Sequence, residues 1–209
     1  GGGLYLWVVF SNGSPAIAQG PTPPSNDGNP SGFDSVGSYG VAKNTLTVGS
    51  VADLVGGYVN AGGVVFSAFS AAGPTDDGRI KPDVVANGEG VTSPSSDAYF
   101  PYATADGTSQ AAPGVAGALG LLIEHFQRLY GTSRLPWAST LKGIAIHTAD
   151  EAGAAAGPDY RSGWGLMNAK RAAQLLSADA ANGNSPYLLE LTLTNAGPIN
   201  FQFKAVGGT

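Results

Sequence analysis

Asp106-Gly107-Thr108-Ser109-Gln110-Ala111-Ala112-Pro113-Gly114-Val115-Ala116-Gly117 is a run of small residues with hydroxyls at its centre, and its reading decides the fold. Ahead of it lie short apolar runs punctuated by Gly and Pro. Behind it Val115, Leu119, Leu122, Ile123, Phe126 and Tyr130 recur at three- and four-residue steps, the period of one helix face. The spacing predicts that Ser109 stands where a loop turns into a long helix. A helix start leaves backbone N–H groups without partners and carries the positive end of the helix dipole. A serine there can attack a carbonyl whose developing oxyanion faces donors already in place. Gly107 allows a tight turn, and Ala111 and Ala112 keep the helix face thin enough for a substrate to approach. Pro113 is expected in the first helical turn, where its missing N–H costs nothing. The same residues also read more plainly, as an N-cap ahead of an Ala-rich core helix.

Composition bounds the rest. The chain has 209 residues, enough for one sizeable domain with a real core. With 43% hydrophobic and 12% charged residues it is globular, and 32 glycines with 14 prolines predict many turns and long structured loops. A net charge of -5 with no Lys/Arg cluster argues against a nucleic-acid partner. Without cysteine there is neither a disulfide framework nor a thiolate metal site. No apolar run reaches the length of about 18 residues that a membrane span needs.

The chain opens on Gly1-Gly2-Gly3 without an initiator Met and reads as a piece of a longer polypeptide. Leu4-Tyr5-Leu6-Trp7-Val8-Val9-Phe10 is apolar throughout and reads as a buried strand ending at Ser11-Asn12-Gly13-Ser14. Residues 14–32 form a Pro/Gly/Ser/Asn-rich loop in which Asp27 and Asn29, with Asp34 just beyond, could make an oxygen-rich cation site, without a specific motif for one. Residues 42–51 alternate and are β-branched, so they read as the next strand. Residues 84–86 read as a short strand, and residues 91–94 with 98–102 as a hairpin leading to Ser109. Pro136 opens a second helix with Trp137, Leu141, Ile144, Ala145 and Thr148 on one face, and a last helix runs to about Leu176.

Gly107-Thr108-Ser109-Gln110-Ala111-Ala112-Pro113, followed by Val115-Ala116-Gly117, resembles the nucleophile motif of the subtilases, the subtilisin-like serine peptidases. Phe69-Ser70-Ala71-Ala72-Gly73-Pro74 with Lys81-Pro82-Asp83-Val84-Val85-Ala86 is a second long match, and Gly163-Trp164-Gly165-Leu166-Met167-Asn168-Ala169 resembles the family's turn into its last helix. The resemblance covers about residues 3–176. It implies a three-layer α/β fold with a mostly parallel sheet, and an endopeptidase that forms an acyl-enzyme on Ser109, whose own N–H contributes to the oxyanion hole. It also implies an oxyanion role for Asn12, because Gly3 through Ser14 is similar to the segment that closes a central strand in the kexin-like branch. Phe10 and Ser11 stand where the family usually has small residues, so the shape of the specificity pocket is left open. Taken alone, Asn12-Gly13 is an ordinary turn, and Asn12-Gly13-Ser14 has the form of a glycosylation sequon. Asp83 is read as a buried structural carboxylate.

Two parts of the family pattern are missing. The family order is Asp, His, Ser, with the first two in Asp-x-Gly and His-Gly-Thr contexts. Neither context is expected in this chain, and both histidines, His125 and His147, follow Ser109 in helical stretches. His125 reads as a helix-surface residue and His147 as a satisfied core or boundary residue. The triad Asp and His are therefore expected upstream of Gly1, with residues 1–180 forming the C-terminal part of a catalytic domain. The chain alone is expected to be inactive, poorly soluble or molten. Residues 185–209 read as the first strands of a truncated C-terminal β-domain. No cofactor is expected. The expected partners are a protein or peptide substrate and the missing N-terminal half, and the family implies secretion. The rival function is a non-catalytic binding module on the same scaffold. A dinucleotide loop at Gly114, Gly117 and Gly120 is rejected, because those glycines lie within the helix and no strand leads into them.

Overall fold

All six residues of one strand, Leu46–Val51, are buried, so both faces of the sheet they belong to are covered. The structure, a computed structural model, describes residues 33–96, 99, 101–154, 156–182 and 188–191, together with the backbone of residues 8–10. Strands β1 (Val8–Phe10), β2 (Leu46–Val51) and β3 (Val84–Asn87) lie side by side in that order. Both pairings are parallel, with Phe10 opposite Val48 and Val48 opposite Val84. Beyond β3 the ladder is continued by residues 165–167: Val85 N–H donates to Gly165 O, and Met167 N–H to Val85 O.

Alternation along the strands separates two cores. Leu46, Val48 and Val84 face the helices, while Val51 and Val85 face Val64, Ala152 and the ring of Phe66. Helix α1 (Thr108–Tyr130) lies across all three strands and buries Ala111, Ala112, Val115, Leu119, Leu122 and Phe126, the face that the spacing predicts. Helix α2 (Ala138–His147) adds Leu141, Ile144 and Ala145, and α3 (Ala169–Ala181) adds Ala172 and Leu176. Trp137 departs from the expected face: it is the N-cap of α2 and is exposed.

Three boundaries differ from the sequence reading: β2 begins at Leu46 and not at residue 42, because residues 43–45 form a turn. The hairpin pairs β4 (Val91–Pro94) with β5 (Tyr102–Ala105), so its second strand begins four residues later than expected. Pro101 has no N–H to give to a ladder; its carbonyl accepts from Ser95 N–H and closes the connection, while the Thr92 and Thr104 hydroxyls pair across the strands. Helix α3 runs past Leu176 to Ala181, where the buried Asp179 accepts from the Tyr130 hydroxyl and from Leu188 N–H. The apolar period ends earlier than the helix because the last turn is held by polar contacts. Leu188 packs on the helical core, and Glu190 accepts from Trp137 N–H and the Thr140 hydroxyl at the start of α2. A carboxylate at a helix start meets both unpaired donors and the dipole. Residues 188–191, expected within the first strand of a β-domain, form no strand and lie against the helices; residues 183–187 and 192–209, and with them most of that expected domain, lie outside the described residues.

The amino ends of β2 and β3 are joined by a buried ion cluster. Asp83 accepts from Lys81 at 2.6 Å, from Lys142 at 2.9 Å and from Thr47 N–H at 2.7 Å. Lys81, only 2% exposed, also donates to Thr45 O. Burial pulls the Lys81 ammonium below its ordinary pKa, and the Asp83 carboxylate opposes that shift. Every group is paired, which is the condition for holding charge inside a protein. The structural role expected of Asp83 is what is found.

Candidate active site

Ser109 is the second residue of α1, the longest described helix, and its side chain is exposed. The N-cap is Gly107, with φ 153°, a conformation that L side chains rarely adopt. The simple N-cap reading of Ser109 is therefore incorrect, because the cap lies two residues earlier and carries no side chain. The Gly107 carbonyl accepts from Gln110 N–H at 3.0 Å and Ala111 N–H at 3.3 Å, so the first turn closes around Ser109. Among the described residues the Ser109 N–H has no acceptor, as expected this close to a helix start.

Pro113 is the sixth residue of α1 and not part of its first turn. The helix begins two residues earlier than a cap at Ser109 would set it. Its ring leaves the Ser109 carbonyl without the N–H that would close the next helical bond.

The loop carrying Ser109 rests on the carboxyl ends of β2 and β3. Gly107 N–H donates to Gly88 O at 2.7 Å, and Gly88 N–H donates to Val51 O at 3.1 Å. Gly90 N–H donates to Asp106 Oδ1 at 2.7 Å, and Glu89 N–H to Asn87 Oδ1 at 3.0 Å. In open parallel sheets this edge is where ligands bind.

Two buried polar atoms flank Ser109 without partners among the described residues: Thr108 Oγ1 and Gln110 Oε1. Thr108 is fully buried. Gln110 stands where a capping box would send its side chain back to the N-cap N–H. That N–H is already given to Gly88, which leaves the Gln110 oxygen over Gly107 with nothing to accept.

The sequence-predicted residues separate into three groups. Ser109 stands at the helix start at the carboxyl edge. Asn12, Phe10's side chain, Ser11, Asp27 and Asn29 lie outside the described residues. The histidines are elsewhere: His125 Nε2 meets Ser177 Oγ at 2.9 Å between α1 and α3, partly buried and not a surface residue, and His147 is exposed at the last residue of α2. Contrary to the sequence expectation, one Asp-x-Gly triplet does occur, Asp76-Asp77-Gly78; it is a turn in which Asp77 accepts from Arg79 and from the Thr75 hydroxyl. The Arg79 bond holds the Asp77 carboxyl down at about 2. No group of three or more His, Asp or Glu side chains among the described residues is arranged to hold a metal. The contacts of Gly88, Asn87 and Asp106 were not anticipated; the only signal was the proximity in sequence of β3's end to two glycines.

The site is thus an exposed serine at the start of a long helix, on the carboxyl edge of a parallel sheet in an α/β scaffold. The model of the subtilase family, the S8 peptidases, matches residues 8–165, and the chain belongs to that family. It is 39% identical over 89 residues to the C5a peptidase of Streptococcus pyogenes, a match covering 43% of this chain and 7% of that protein. It is 37% identical over 110 residues to pyrolysin of Pyrococcus furiosus, covering 44% of this chain and 8% of pyrolysin. The structure of the Clostridium perfringens CspB protease superposes with a TM-score of 0.58 at 28% identity, over 69% of this chain and 29% of CspB. The chain thus spans a minor part of each of these proteins. No helix of the described residues is long and apolar enough to cross a membrane.

Proposed function

We propose that this chain carries the nucleophile of a subtilisin-like serine endopeptidase. Ser109 attacks the scissile carbonyl and forms an acyl-enzyme; its own N–H and the Asn12 side-chain amide donate to the oxyanion. The observation that supports this most is the placement of an exposed Ser109, whose N–H has no partner among the described residues, at the start of α1 over the carboxyl ends of β2 and β3. The base and its orienting carboxylate come from sequence outside this chain, since neither described histidine is placed to serve Ser109. His125 is held between α1 and α3, and His147 ends α2. A serine hydroxyl without a base is a poor nucleophile, so the chain by itself is inert.

The substrates are proteins or peptides, and the protein works outside the cytoplasm, as the family resemblance implies. Residues 185–209 open a β-domain that follows the catalytic domain. The test is labelling by a fluorophosphonate, which reacts only with an activated serine. A polypeptide joining this chain to the residues that precede it should be labelled, and Ser109→Ala should abolish the label. Absence of labelling with both halves present would favour the binding module on a subtilase scaffold.

A further inference from the structure

We propose that Gly88 and Asp106 are positioning residues for Ser109: the turn at residues 87–90 is a seat that sets where α1 begins. The inference rests on the nucleophile reading above and adds to it the parts that hold the nucleophile in place. Gly88 is closed in on two sides. A Cβ built on it would lie 2.5 Å from the Gly107 carbonyl oxygen and closer still to Ser50 Oγ. Its φ is not in the left-handed region, so glycine is required here by close approach and not by backbone conformation.

The neighbours cannot simply give way. Ser50 Oγ is held by Ser67 Oγ at 2.8 Å inside the core, and Gly107 is backbone. Gly88 itself is tied to the sheet through Val51 O and to the loop through Gly107 N–H. Asp106 is the second clamp, since its Oδ1 accepts from Gly90 N–H at 2.7 Å, one turn-length from the Gly88 contact. Gly107 is thus held from both sides: its N–H is bonded to Gly88 O, its carbonyl packs against the Gly88 α-carbon, and the residue before it is bonded to Gly90. Ser109 follows two residues later on a helix that cannot shift without breaking both contacts.

Cβ contacts under 3.0 Å are essentially never seen, so Gly88→Ala pushes the Gly107 carbonyl away by about half an ångström. A misplacement of about 1 Å costs on the order of a hundredfold in rate, so about tenfold is expected here. The experiment uses the polypeptide that joins this chain to the rest of the catalytic domain, and reads fluorophosphonate acylation rate, kcat and KM separately, and amide exchange at Gly107. Gly88→Ala should lower the acylation rate and kcat by about tenfold with KM little changed, and should speed exchange of the Gly107 N–H. Adding Ser50→Gly should not restore the rate, because the carbonyl contact remains.

Asp106 is exposed, so its variants carry the test if Gly88→Ala does not fold. Asp106→Ala should slow acylation several-fold, and Asp106→Asn, which keeps an acceptor oxygen, should recover most of that loss. Wild-type acylation in a folded Gly88→Ala, full rescue by the Ser50→Gly addition, or equal rates for the two Asp106 variants would each overturn the seat. Retained activity in Ser109→Ala would instead overturn the nucleophile reading, leaving the exchange result to judge the seat alone.

Discussion

The two ends of the parallel sheet treat polar groups in opposite ways. At the amino ends of β2 and β3, Asp83, Lys81, Lys142 and Thr47 satisfy one another inside the protein. At the carboxyl ends, the Ser109 N–H, Thr108 Oγ1 and Gln110 Oε1 have no partner among the described residues, and Ser109 is open to solvent. The third unpartnered buried side-chain atom among the described residues, Ser162 Oγ, lies in the turn at residues 159–163, whose Gly163 and Trp164 pack on Pro82 and Asp83 beside the amino end of β3. The paired ion cluster, not the absence of every open group, marks the end that holds the fold together. Donors left open where a helix begins are the condition for stabilising a charge that forms only during reaction. The comparison predicts that substitutions at the two ends separate: one set costs stability, the other activity.

The largest effect belongs to the open end. With the rest of the triad present, Ser109→Ala should cut turnover by about a millionfold, with the urea midpoint unchanged. Asn12→Ala should cost about a hundred- to a thousandfold in turnover, a magnitude established on subtilisin. Comparable turnover in either variant and wild type would break the open half of the comparison.

At the closed end, Asp83→Ala leaves two ammonium groups without their carboxylate, one of them buried. Breaking such a pair costs about 3–5 kcal/mol, which should appear as a lowered urea midpoint. An unchanged midpoint would show that the cluster is not what joins β2 to β3.

Glu190→Ala should cost about 1 kcal/mol, the value of a lost helix cap, and loosen residues 188–191 from α2, seen as faster amide exchange at Trp137. The smallest effect is a pH dependence. Burial, reinforced by the bond to Asp179, raises the Tyr130 phenol above its ordinary pKa of 10.0. The folded state then keeps a proton that the unfolded chain gives up above about pH 10, so stability is fully present below that pH and falls as pH rises through it. Tyr130→Phe should flatten the alkaline fall in urea midpoint; an unchanged slope would assign the fall to other groups.

How much of this was legible in sequence follows from what each feature depends on. The apolar period of Val115, Leu119, Leu122 and Phe126 names the buried face of α1 because a helix repeats every 3.6 residues whatever it packs on. The buried β-branched residues of β2 and β3 were legible for the same local reason. Pro113 was misplaced because the helix start is set by Gly107's contact with Gly88, nineteen residues back in sequence, and not by local signals. The bond from His125 to Ser177 and the cap from Glu190 were invisible for that reason too: both join segments that only the packing of α1, α2 and α3 brings together. Ser109 was found through its motif, and its seat was not, because Gly88 acts by what its missing Cβ leaves room for.

The central claim is that Ser109 is a nucleophile whose base lies outside this chain. The most direct test is fluorophosphonate labelling of the chain alone and after mixing with the residues that precede it, supplied as a separate polypeptide. The account predicts no label on the chain alone, and stoichiometric label on Ser109 once the second polypeptide is added. Rapid labelling of the chain alone, lost in Ser109→Ala, would contradict it by showing that a base is already present.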